Sequence, residues 1–152
     1  MPNIVHRIGI RAPISTVYAA VSTIEGIAGW WTRDTSGESR LGGSIQVHFR
    51  TPSREEIGKM GFELSKLDVN KEVHWHFTSG PEEWLGTDVT FSLSQEGDCT
   101  LILFGHRNWR EEVEFMAHCS MKWATFLLSL KLQAEAGKGK PAPDDMKIDN
   151  WN

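Results

Sequence analysis

Residues 112–137 read EVEFMAHCSMKWATFLLSLKLQAEAG, and this stretch decides the fold. Met116, Cys119, Trp123, Leu127, Leu130 and Ala134 recur at steps of three or four, which puts them on one face of an α-helix. Gly137 is a plausible stop, with Lys138 and Lys140 beside the negative end of the helix dipole and Pro141 just beyond. No other stretch carries a comparable helical period. Most of what precedes it reads as short alternating strands, so this helix is expected to be the lid on a sheet.

Working back to the N-terminus, Ile4, Ile8 and Ile10 share one parity with His6 and alternate with Arg7 and Arg11, the pattern of a half-buried strand. Pro13 suits the first turn of a helix running to about Thr23, with Ile14, Val17, Tyr18 and Val21 on one face. A second helical turn over Ile24–Trp31 is weakened by Gly26 and Gly29. Residues 32–43 are polar and rich in Gly and Ser, a loop or a short edge strand.

Alternation then returns at Ile45, Val47 and Phe49, and residues 52–59 form a charged connection. Phe62 and Leu64 share a parity that shifts by Leu67 and Val69, which predicts a bulge near Ser65 or Lys66. Val73, Trp75 and Phe77 mark the next strand, and Val89, Phe91 and Leu93 the one after it. Glu96-Gly97-Asp98 turns the chain into a strand over Thr100–His106 that is apolar on both parities. Strands and helices segregated in this way argue an α+β fold, an antiparallel sheet whose concave face is crossed by the last helix. The expected organisation is one domain over residues 1–152, with 138–152 as a C-terminal tail.

The totals narrow the function classes. A chain of 152 residues can hold a real core. A net charge of -4 gives no electrostatic footprint for nucleic acid. No apolar run approaches the roughly 20 residues of a membrane span, and the N-terminus lacks a secretory pattern. Cys99 and Cys119 have no metal-ligand spacing and read as free thiols of a reducing compartment, so a cytoplasmic location is expected. The seven Trp and seven Phe against one Tyr supply large apolar area, either for a dense core or for a cavity wall.

Several stretches together resemble a known family. They are Ala12-Pro13 with Val17-Tyr18, Gly29-Trp30-Trp31, Gly42-Gly43, Val73-His74-Trp75 and Trp84-Leu85-Gly86-Thr87 with Val89-Thr90-Phe91. To these are added Phe104-Gly105-His106-Arg107, His118-Cys119-Ser120, Lys122-Trp123, Phe126 to Lys131 and Gly137 to Pro141. Their order and spacing are similar to the START-like (SRPBCC) superfamily. The branch is that of the heat-shock chaperone ATPase activator homologues, also labelled polyketide cyclase-like. The resemblance implies a helix-grip (START-like, Bet v-like) fold, a curved antiparallel sheet wrapped around a long C-terminal helix, with a cavity between them. It also implies a small hydrophobic ligand such as a lipid or polyketide, and in a minority of members catalysis. The namesake carries a further N-terminal domain that this chain lacks, so chaperone association is not expected.

The expected ligand wall follows from inward parity and the helix face: Trp31, Phe49, Phe62, Trp75, Phe77, Phe91, Phe104, His106, Met116, Cys119 and Trp123. The alternative use of the same rings is a packed core. Trp123 is expected to be the central anchor, with Met116 and Cys119 near the mouth and Met116 flexible enough to gate it. His106 faces the helix. A hydrogen-bonded core histidine outweighs an acid–base catalyst there, because no orienting partner is visible in the sequence. A cyclase or hydrolase using His106 is the alternative function, and a chaperone-associated or stress-response interaction module a third. His6 and Lys66 are further candidate polar handles.

His74 and His76, with His48 as a third ligand, are weak as a metal site, and no cofactor is expected. Cys119 beside His118 is weaker as a nucleophile than as a buried thiol. Asp144, Asp145 and Asp149 are expected to be exposed in the tail. Leu101 and Leu103 on the outer parity, followed by Trp109, suggest an apolar strip that serves a homodimer or partner, or is covered by the tail through Ile148 and Trp151.

Overall fold

The computed structural model describes residues Met1–Asn152. Alternating apolar and polar side chains build seven strands: β1 (Ile4–Ile10), β2 (Asp34–Gly37), β3 (Ser44–Arg50), β4 (Glu56–Asp68), β5 (Glu72–Ser79), β6 (Asp88–Glu96) and β7 (Cys99–Arg107). The helices are α1 (Ile14–Ser22), α2 (Ile24–Ala28) and α3 (Glu114–Ala136), and a single 3-10 turn spans Glu82–Trp84. All pairings are antiparallel and the sheet order is β1-β7-β6-β5-β4-β3-β2. Each strand from β2 to β7 therefore neighbours the next in sequence. Only β1 makes a long-range pairing, with Ile4 opposite His106 and Ile10 opposite Thr100.

Helix α3 ends where the sequence says it should. Gly137 takes a left-handed backbone (φ 84°), and its N–H donates to the Gln133 carbonyl at 2.8 Å. The face expected to be inward is inward: Met116, Cys119, Trp123, Leu127 and Leu130 are buried, joined by Phe126, in one cluster with the inner row of the sheet. Val17, Val21, Ile27 and Trp30 of the α1–α2 region belong to the same cluster.

The ladder has three irregularities. One lies between Leu64 and Lys66, so Ser65 is the extra residue and the expected bulge is present. A second at Phe49/Arg50 accommodates Ile57, and a third lies at Gly61/Phe62. β4 is longer than expected: Glu56 to Lys59 pair with β3 instead of forming a free connection, and the His48–Glu56 ion pair joins the two strands. The bulge leaves Lys66 on the outer face, where its ammonium meets Glu72 at 3.2 Å. Lys66 is therefore not an inward handle.

Three other expectations fail for a shared reason, the path of the chain around α3. Trp109 is only 1% exposed, packed on the His106 and Phe115 rings at centroid distances of 4.9 and 6.2 Å, so it is core and not part of an outer strip. The tail folds back, but along α3 and the β2 side. Ala142 donates its N–H to the Trp31 carbonyl (2.8 Å) and accepts from Arg33 N–H (3.2 Å), and Asp144 pairs with Arg33. Leu103 remains half-exposed. Asp145, expected to be exposed, is buried.

Candidate functional site

The space beneath α3 is filled with rings. Trp31 sits at the junction, 5.2 Å from the centroids of both Trp75 and Trp123 and 5.4 Å from Phe49. From there the stack continues through Phe62–Trp75 (4.5 Å), Trp75–Phe91 (4.9 Å), Phe91–Phe104 (5.4 Å) and Phe104–Trp123 (4.8 Å). Buried indoles need an acceptor for their one donor. Trp30 donates to the Ala20 carbonyl at 2.8 Å and Trp75 to the Val21 carbonyl at 3.0 Å, so helix α1 ends by satisfying two core tryptophans.

His106 lies within this stack and both ring nitrogens are engaged. The Trp123 indole N–H donates to His106 Nδ1 at 3.1 Å, so Nδ1 is an acceptor and the ring proton sits on Nε2. That Nε2–H donates to Thr87 Oγ1 at 2.9 Å, and the Thr87 hydroxyl donates to the Trp84 carbonyl at 2.6 Å. Burial pushes the His106 pKa down to about 3, so the ring is neutral at any physiological pH. A histidine with both nitrogens used and no route to solvent is a structural hub. It is not placed for acid–base work.

Cys119 is silent for a related reason. Burial pushes its thiol up to about 12, opposed only weakly by the Trp84 indole, so no thiolate forms. His6 is half-buried, with Nε2 3.1 Å from the Ser120 carbonyl and its ring over Phe104, and so ties β1 to α3. His48, His74 and His76 each take a carboxylate of their own, Glu56 (2.5 Å), Glu72 (2.5 Å) and Asp88 (2.8 Å). Those bonds hold the Glu56 and Glu72 carboxyls below the usual range. No three metal-binding side chains converge.

An apolar cleft of about 210 Å³ opens between the N-terminal half of α3, the start of β4 and the tail. Ten of its fifteen lining residues are hydrophobic. Four of the expected wall residues line it: Trp31, Phe49, Cys119 and Trp123. Phe62, Trp75, Phe77, Phe91, Phe104, His106 and Met116 are buried outside its lining, the first six within the ring stack. Outside the expected wall were Ile57, read as part of the charged connection, Trp84, in the turn before β6, and Met60, Phe115, Phe126 and Trp151. For Phe126 a signal existed, since it stands three residues beyond Trp123 on the same helix.

The tail forms the outer wall and two pairs hold it. Lys122 Nζ donates to Asp145 Oδ2 at 2.5 Å and to the Met146 carbonyl at 2.9 Å, while Lys147 reaches Asp145 Oδ1 at 2.8 Å. Burial alone would raise the Asp145 carboxyl, yet the bonds and charges of the two lysines carry it below the usual carboxylate range. His118 Nδ1 meets Asp149 at 2.7 Å, and Trp151 packs on His118 and Phe115 at 5.4 and 6.4 Å. One polar group in the wall has no oxygen or nitrogen partner: the buried indole N–H of Trp84. Its neighbour is the Cys119 sulfur, the same contact that opposes the rise of the thiol.

The fold and the sequence match known proteins. Residues 11–135 match a family model described as Activator of Hsp90 ATPase homolog 1-like protein. A solved structure described as the Aha1 dimer from Colwellia psychrerythraea is 43% identical, with a TM-score of 0.79, covering 91% of this chain and 100% of that one. CalU16 from Micromonospora echinospora is 20% identical with a TM-score of 0.73, covering 97% and 75% of the two chains. A protein from Staphylococcus saprophyticus is 17% identical with a TM-score of 0.72, covering 91% and 95%. These last two share the fold. No functionally curated protein matches the chain in sequence. No helix is long and apolar enough to cross a membrane.

Proposed function

The chain belongs to the family of Activator of Hsp90 ATPase homolog 1-like proteins, and from that premise we propose that it binds a small, largely apolar molecule in the cleft beneath its tail. The observation that carries the reading is the contrast between two regions. The interior is filled by stacked rings, whereas the cleft is apolar, open and framed by α3. At about 210 Å³ it is smaller than the roughly 300–1,000 Å³ of typical drug-sized sites. The occupant is therefore a small molecule or the end of a longer one.

Gly58 offers the test. It lines the cleft, stands opposite Phe49 across the β3–β4 pair, and a Cβ added there meets nothing within 4 Å. Directly opposed strand residues share a face, so a side chain at 58 enters the same space as Phe49. With 8-anilinonaphthalene-1-sulfonate as the probe, Gly58→Leu is expected to weaken binding at least about 10-fold, roughly 1.4 kcal/mol. The melting temperature should hold or rise, because Gly is a poor strand residue. Equal probe affinity in the variant and the parent protein sinks the assignment.

The 43% identical relative described as a dimer supports a second reading, that this chain also pairs with a second copy of itself. The observation that favours it is a row of exposed apolar residues on α3, Met121, Leu128 and Leu132.

A further inference from the structure

Helix α3 is apolar on two opposite faces, and only one of them has a partner. At 100° per residue, Ala117, Met121, Ala124, Leu128 and Leu132 fall within an arc of about 80° on the side away from Trp123, Phe126 and Leu130. Met121 and Leu128 are each 57% exposed and Leu132 is 44% exposed. A helix lying on a sheet normally turns a polar face to solvent. This one presents an apolar seam about 22 Å long, from Ala117 to Leu132.

We propose that the second copy docks on this seam, with the two α3 helices antiparallel across a two-fold axis, an inference that rests on the self-pairing proposed above. A two-fold interface uses the same patch on both partners, so the patch must complement itself. The seam does. An antiparallel alignment sets Met121 against the partner's Ala124 and Leu128 against the partner's Ala117, large residues over small ones. Glu114 and Lys131 fall on opposite edges of the seam and make no pair across it, and Lys131 already donates to Glu135 and to the Gly9 carbonyl. The apolar fit is the driving force.

Area supports this face. A standard interface buries about 800 Å² per partner, more than one bare helix stripe supplies. Beside the seam lies a groove in which Ala117, Met121, Ile148 and Trp151 alternate with Glu114, His118, Asp149 and Asn150, so the tail extends the patch with a mixed apolar and polar margin. The competing apolar strip on the outer face of the sheet is narrower. Leu103 there has Arg7 and Ser92 as its cross-strand neighbours, so charge and hydroxyl break it up.

Analytical ultracentrifugation of the full chain and two exposed-site variants tests the assignment. The unmodified protein is expected to sediment as a dimer at micromolar concentration. Leu128→Glu should weaken dimerisation at least about 30-fold, since it buries a carboxylate against the partner's Ala117 at both ends of the paired stretch. Leu103→Glu should leave the dimer intact, and both variants should keep the parent circular dichroism. An unmodified protein that stays monomeric at hundreds of micromolar overturns the pairing and the face together. A dimer that survives Leu128→Glu, or one lost in Leu103→Glu, overturns the face alone and leaves the pairing standing.

Discussion

Trp123→Ala is expected to cost about 3–5 kcal/mol of folding stability, the range for removing a fully buried aromatic ring. Two effects add at this residue. Its ring closes the stack between Trp31 and Phe104, at 5.2 and 4.8 Å, and nothing on α3 can move to fill the gap without unpacking Phe126 and Leu127. Its N–H is also the donor that fixes the His106 tautomer, and losing it strands Nδ1 without a partner. At roughly 2–4 °C per kcal/mol for a chain of this size, the melting temperature should fall by about 10 °C. Trp123→Phe separates the two effects, since it keeps a ring and removes the donor, and its loss should be about half as large. Urea unfolding of the three proteins reads both. A loss below about 1 kcal/mol for Trp123→Ala would mean that the stack does not hold the fold.

Acid should destabilise the protein well before its carboxylates titrate. In the unfolded chain His106 takes up a proton near pH 6.5, but in the folded protein burial keeps it neutral down to about 3. Between those values the unfolded state binds the extra proton, so stability is complete above pH 6.5 and falls as the pH is lowered through the window. The slope is about 1.4 kcal/mol per pH unit, which gives about 2.5 kcal/mol between pH 7 and 4.5 and on the order of 4–5 kcal/mol by pH 3. Asp145, with its carboxyl held low, adds its own loss only below the usual carboxylate range near pH 4. His106→Gln should therefore lower stability at pH 7 and flatten the curve between pH 7 and 4.5. A slope in that window that persists unchanged in His106→Gln assigns it to other groups.

How much of this was legible beforehand depends on the kind of signal. Helix α3 and the strands around Ile45, Val73 and Val89 announced themselves because one buried face imposes a strict period on each. The bulge at Ser65 showed as a parity slip between Leu64 and Leu67. Where the chain carries charge for local reasons, the period failed: Glu56 to Lys59 looked like a loop because the outer row of β4 is polar and its inner row begins with glycine. The site was harder. Parity says that a ring points inward, but not whether it meets another ring or empty space. Phe62 and Phe91 therefore could not be told from Trp31 and Phe49. The tail was least legible, since its placement depends on Lys122, a charge on the helix whose partner Asp145 lies 23 residues on.

The ligand, on this account, sits in the cleft and not among the core rings, and the indole N–H signals report directly on that difference. Trp84 and Trp151 line the cleft, whereas Trp30 and Trp75 bond to backbone carbonyls behind it. In a ¹H–¹⁵N correlation spectrum titrated with 8-anilinonaphthalene-1-sulfonate, the Trp84 and Trp151 indole signals are expected to shift saturably while those of Trp30 and Trp75 stay in place. Shifts at Trp30 and Trp75 with Trp84 unmoved, or no shift at any of the four, would contradict it.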